Sequence, residues 1–96
     1  MDYLKFRSRL TSKGEAKEDR RHEHVFFFIE VDGKEEKATK ISYGAKGQIP
    51  DDILKLISHQ MRLTNDELVQ FVGCELGRRE WLELWKERGY SWRRSY

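Results

Sequence analysis

His22-Glu23-His24 is the tightest grouping of reactive side chains in this sequence. Alternate residues of an extended chain share one side, so the two imidazoles are spaced to chelate a metal if His59 or Cys74 arrives as a third ligand. No CxxC or HxxxH spacing accompanies them, and a solvated strand entrance is the competing reading, so no metal or other cofactor is assigned. His24 alone opens an apolar strand pattern beside basic residues. A histidine titrates near neutrality and suits a general base acting on a ribose 2′-hydroxyl, while a structural or surface histidine is the alternative. Cys74 follows the helix-stopping Gly73 and reads as a small buried apolar residue. No Ser-His-Asp signature or paired-carboxylate motif occurs, and Gly44 and Gly47 flank Lys46 without forming a P-loop.

The cations offer a second chemistry. Lys34, Lys37, Lys40 and Lys46 lie along one hairpin edge and its following loop, where they suit a polyanion. Lysine also protects an edge strand from aggregation, which is the competing reading. Near the C-terminus Arg93 and Arg94 lie between Trp92 and Tyr96, and arginine with stacking aromatics suits single-stranded nucleic acid. The net charge is only +2, from 19 basic and 17 acidic residues. Its distribution is uneven: residues 47–74 set Lys55 and Arg62 against Asp51, Asp52, Asp66 and Glu67, so a basic side and an acidic side are expected.

These groups need a scaffold, and 96 residues make one domain, 1–96. Charged residues make up 38% of the chain, above the usual value of about 25%, but 12% aromatic residues and near-balanced charge argue for a folded core. One cysteine excludes an internal disulfide and suits a reducing compartment. The start Met1-Asp2-Tyr3-Leu4-Lys5 lacks a signal peptide's apolar run, and no stretch approaches a membrane span, so a cytoplasmic protein is expected.

The clearest element is a β-hairpin over 24–42. His24 to Val31 is rich in β-branched and aromatic residues, and Asp32-Gly33 supplies a strong turn signal. Two registers are open. A two-residue loop sets Phe26 opposite Thr39, whereas a three-residue loop with a glycine bulge sets Phe27 opposite Thr39 and Val25 opposite Ile41. The second is preferred because it gathers Val25, Phe27, Ile29, Thr39 and Ile41 on one face. Phe26 and Phe28 then project from the other, where they need a cover from the basic N-terminal segment and its neighbours or from a partner; uncovered, they form a binding surface or a homodimer interface. Residues 3–10 read as a strand with Leu4, Phe6 and Leu10 on one side, a short helix using Leu4 and Leu10 being the alternative, and Thr11 to His22 as a mobile loop. Three helices follow. The first spans 50–62, with Ile49, Ile53, Leu56 or Ile57, and Met61 as its buried stripe. The second spans 65–72 behind a Thr64/Glu67 capping box. The third spans 78–88, with Trp81, Leu82, Leu84 and Trp85 inward. Residues 90–96 form a tail. The expected class is α+β: an antiparallel sheet of two or three strands packed by two to three C-terminal helices.

His24-Val25-Phe26, Ala38-Thr39-Lys40-Ile41 and Gly47-Gln48-Ile49-Pro50 leading to Ile53, Leu54 and Ile57 together resemble the HicA-like toxin family, over about forty residues. The resemblance implies a double-stranded-RNA-binding-like fold, mRNA cleavage through His24 and an antitoxin-like protein partner. That family begins with a helix and a Gly-Ser-His-type strand start, where this chain has a basic segment and Glu23. It has no counterpart to the helices after Leu63. A second resemblance, of Leu63 to Gly73 followed by Arg78 to Arg88, is to a helix-turn-helix, which would set Arg78, Arg79 and Lys86 on DNA. A structural helix pair is the competing reading. The expected function is RNA contact, with DNA binding or a protein-interaction module as alternatives.

Overall fold

In a computed structural model describing residues 1–88, strands β2 (His24–Val31) and β3 (Lys34–Ser42) are joined by Asp32 and Gly33. Both turn residues have positive φ, 53° and 80°, as a type I′ turn requires. Val31 therefore pairs directly with Lys34. The register nevertheless shifts between Phe28, opposite Lys37, and Phe27, opposite Thr39. Ala38 is the extra residue. The structure thus combines the two-residue loop with the pairing expected from the longer one: Phe27 faces Thr39 and Val25 faces Ile41, because the bulge sits within β3 and not at the turn. Val25, Phe27, Ile29 and Val31 are buried together with Ala38, Thr39 and Ile41.

The N-terminal quarter differs from expectation. Residues 3–10 are not a strand but belong to helix α1 (Tyr3–Ser12), capped by the Asp2 carboxylate accepting from the Leu4 amide at 2.7 Å. Its buried residues, Tyr3, Phe6 and Leu10, recur at helical spacing, while Leu4 is 65% exposed. The segment expected to be a mobile loop contains strand β1 (Lys17–Arg21), paired antiparallel with β2 from Lys17↔Phe28 to Arg21↔His24. No residue of β1 is apolar. Backbone pairing to β2 holds it, and Arg7 braces it with two hydrogen bonds to the Glu18 carboxylate at 3.0 and 3.2 Å. The sheet order is β1-β2-β3.

Helices α2 (Asp51–Gln60), α3 (Asn65–Val72) and α4 (Arg78–Arg88) complete the α+β fold. With α1 that makes four helices on a three-stranded sheet among the described residues. The Phe6 ring meets Phe27 edge-on at 6.3 Å, and Thr39 donates to the Gln60 side chain at 2.6 Å, tying β3 to α2 in the core. Cations at the end of α1 serve α3: Arg9 donates to the Val72 carbonyl and the C-cap residue Lys13 to that of Phe71, both at 3.0 Å. Arg9 thereby satisfies a carbonyl that a helix C-terminus leaves unpaired, and Lys13 adds to a Phe71 carbonyl that also accepts from the Cys74 amide at 3.2 Å. Trp81 and Trp85 are buried, but Leu82 and Leu84 are only half-buried. Cys74 is exposed, contrary to expectation, at a left-handed φ of 70° just past α3. Among the described residues no helix is long and apolar enough to cross a membrane.

The capping box of α3 carries one pH-dependent element. Glu67 accepts from the Thr64 amide and from the Arg88 guanidinium at the end of α4. The hydrogen bond from Arg88 is the main reason its carboxyl is held down at about 2, against an ordinary 4.5. A folded-state value below the unfolded one stabilises above the unfolded pKa and is lost as pH falls through the folded value. The Glu67–Arg88 contribution is therefore complete above about 4.5 and disappears towards about 2. Acid titration of thermal stability should lose a component over that interval, and Glu67→Gln should lack it. An identical acid profile in the variant would refute the assignment.

Candidate nucleic-acid interface

The reverse of the sheet is built by strand alternation. His24, Phe26 and Phe28 project opposite to the core residues Val25, Phe27 and Ile29, and all three are half-buried. Neither phenylalanine belongs to the apolar core. Their rings lie 6.3 Å apart and nearly parallel, at 29°, and the His24 ring follows 6.3 Å from Phe26. Three rings thus form a row along the central strand.

Cations flank this row on both sides. On the β1 side the register sets Lys17 beside Phe28 and Arg21 beside His24, with the Arg21 guanidinium 5.9 Å from the Phe28 ring centre. On the β3 side Lys37 and Lys40 bring their ammonium groups to 5.5 and 6.0 Å from the Phe26 ring. Residues three apart in a regular strand point to opposite faces. The extra residue Ala38 returns Lys40 to the same face as Lys37, so the bulge places both lysines on the aromatic row. Re-aiming a side chain is a recurrent use of such bulges. Asp19 is the acid on the β1 side, and it is paired with Arg21 at 2.8 Å.

Of the expected polyanion ligands, Lys37 and Lys40 therefore come together. Lys34 pairs with Val31 at the hairpin tip, on the parity of the core face, and Lys46 is exposed in the loop between β3 and α2. Arg93 and Arg94 lie outside the described residues. Sequence reading missed Lys17 and Arg21. The signal was present in the alternation Lys17-Asp19-Arg21, but no apolar residue marked the segment as a strand.

His24 lies at the end of the row, in the lining of a cavity of about 270 Å³ between β3 and α2. Lys40 and Ser42 share that lining, and no carboxylate lines the cavity. The expected alignment of His22 with His24 is absent, because His22 takes a left-handed φ of 57° in the turn between β1 and β2. Among the described residues no three His, Cys, Asp or Glu side chains come together as a metal site. A larger open groove, about 740 Å³, lies between α2 and α3 around Asp52, Lys55, His59 and Asn65, with no phenylalanine, tyrosine or tryptophan in its lining.

The helix-turn-helix candidates have other engagements. Arg78 donates to the Gly14 carbonyl at 3.2 Å and pairs with Glu15. Lys86 pairs with Asp32 and Arg79 with Glu83.

No family model matches the chain, and neither a curated protein nor a solved structure matches it. The chemistry of the sheet face is what speaks for its role.

Proposed function

We propose that this protein binds single-stranded RNA on the face of its sheet opposite the core. The observation that carries the reading is the Phe26–Phe28 pair flanked by Lys37 and Lys40 on one side and by Lys17 and Arg21 on the other. Unpaired bases stack on aromatic rings, each contributing about 1–3 kcal/mol, while cations alongside meet the phosphates. Spacing favours a single strand. Bases within a duplex rise about 3.4 Å per step, whereas successive rings here are 6.3 Å apart. A ligand following the row has its bases spread nearly twofold. RNA is favoured over DNA by the HicA-like resemblance, to which α1 adds the initial helix of that family.

The same resemblance brings two subsidiary proposals, cleavage of the bound strand through His24 and an antitoxin-like protein partner. The place of His24 beside Lys40, at the end of the row, supports the first.

The test is the salt dependence of binding to a fluorescent single-stranded RNA. Each phosphate contact on a single strand contributes about 0.7 to the slope of log affinity against log salt. Replacing Lys37 and Lys40 with alanine should reduce that slope by about 1.4, while Lys34→Ala, on the other parity, should leave it unchanged. No binding in low salt, or equal slopes in all three proteins, would refute the sheet-face reading. Incubating the same RNA with wild type and His24→Ala tests the chemistry: cleavage that survives the substitution removes His24 from it.

A further inference from the structure

The cavity beside His24 has a wall that the helix pattern alone would have closed. Ile53 and Leu56 belong to the apolar stripe of α2, yet both are only half-buried; both line this cavity together with the buried Ile57, and Leu56 also borders the groove between α2 and α3. Its lining also carries the polar and basic side chains of His24, Lys40 and Ser42, beside Tyr3 and Ile41. Two of those polar residues also belong to the aromatic face: His24 is the last ring of the row, and Lys40 stands over Phe26.

A strand leaving Phe26 over His24 therefore meets a largely apolar slot with a cation in its lining. Its volume of about 270 Å³ falls just below the roughly 300–1,000 Å³ of pockets for drug-sized ligands. That is room for one ring system and not for a larger group. Lys40 has the charge to hold the phosphate preceding that ring. The half-buried apolar side chains of α2 supply a dry surface for its faces, and Ser42 and His24 supply polar groups for its edge.

Resting on the single-stranded RNA reading, we infer that this cavity takes one unstacked nucleobase, that of the nucleotide next to the two lying on Phe26 and Phe28. The binding unit is then a trinucleotide, with two bases on the sheet and a third turned over its edge. Turning a base out of line is a common device in recognition of single-stranded RNA.

The experiment compares a uridine dinucleotide with the trinucleotide, titrated into the full chain carrying labelled methyl groups. Both strands should shift the resonances around Phe26 and Phe28. Only the trinucleotide should shift the Ile53 and Leu56 methyls, and it should bind about tenfold more tightly, the gain expected for one further well-held base. Ile53→Trp fills the slot from α2. Ser42→Tyr closes its mouth from an exposed strand position, so a folding defect in the first variant does not compromise the test. Each should abolish the advantage of the trinucleotide while leaving dinucleotide affinity within about twofold. Equal affinity for both strands, or Ile53 and Leu56 methyls that stay still while the sheet face responds, would overturn the third-base site and leave the sheet-face reading standing. Failure of both strands to bind would overturn the sheet-face reading, and this site with it.

Discussion

Replacing Phe26 and Phe28 together with alanine should weaken binding of single-stranded RNA by about 2–6 kcal/mol, the sum of two stacked bases at about 1–3 kcal/mol each. Even the lower figure is about a thirtyfold loss. The expectation is specific because the two rings stand apart from the core. Their removal exposes no buried cavity and leaves the buried face of Val25, Phe27 and Ile29 intact. The variant should keep its circular dichroism spectrum, with a melting temperature lowered by the loss of two half-buried rings from the central strand but still a cooperative transition. Tyrosine at both positions retains the ring faces and should preserve most of the affinity. Fluorescence anisotropy with a short labelled RNA measures all of this. Full affinity in the alanine variant would exclude stacking on this face. If that variant instead separated a wild-type dimer while RNA affinity stayed unchanged, the face would be a self-association surface.

The largest effect on stability is expected at Trp81. It is fully buried, packs at 5.0 Å on Phe71 and 6.2 Å on Trp85, and donates its indole N–H to the Met61 carbonyl at 2.9 Å. It joins α4 to α3 and to the end of α2. Gly14 lies against it so closely that an added Cβ would stand 3.2 Å from the indole and 2.6 Å from the Leu10 carbonyl oxygen. The loop after α1 has thus closed around this ring. Trp81→Ala should cost about 3–5 kcal/mol through the lost transfer energy and the cavity left behind. A domain of this size has a total stability nearer the lower end of the usual range of about 5–15 kcal/mol, so the variant should be largely unfolded near body temperature. Trp81→Phe keeps much of the packing and loses the hydrogen bond to Met61, so an intermediate loss is expected. Urea titration followed by circular dichroism reads each value. A shift below about 1 kcal/mol for alanine would contradict the central role assigned to this side chain.

The elements legible in the sequence were those whose signals are local. Asp32-Gly33 specifies a tight turn with two positive φ values, because glycine meets no steric penalty there and aspartate tolerates it. Thr64 and Glu67 satisfy each other's amides within one helical turn, and α3 spans Asn65–Val72 as read from that capping box. Helix α4 likewise spans Arg78–Arg88 as expected, and the end of α2 differs by only two residues.

Where the signal depends on a partner, the chain alone was ambiguous. Leu4, Phe6 and Leu10 fit a strand as sequence, but Tyr3, Phe6 and Leu10 form the buried stripe once Phe27 and its neighbours offer a surface. Lys17–Arg21 carries no apolar residue, and only the unpaired edge of β2 makes it a strand. The candidate site shows the same division. The sequence by itself determined that His24, Phe26 and Phe28 share a face, since strand alternation is a property of the backbone. The tertiary structure decided which lysines join them, because a bulge at Ala38 is chosen by what must be buried beneath it: Thr39 bonded to Gln60 of α2, and Ile41 against the core, which together carry Lys40 round to the side of Lys37.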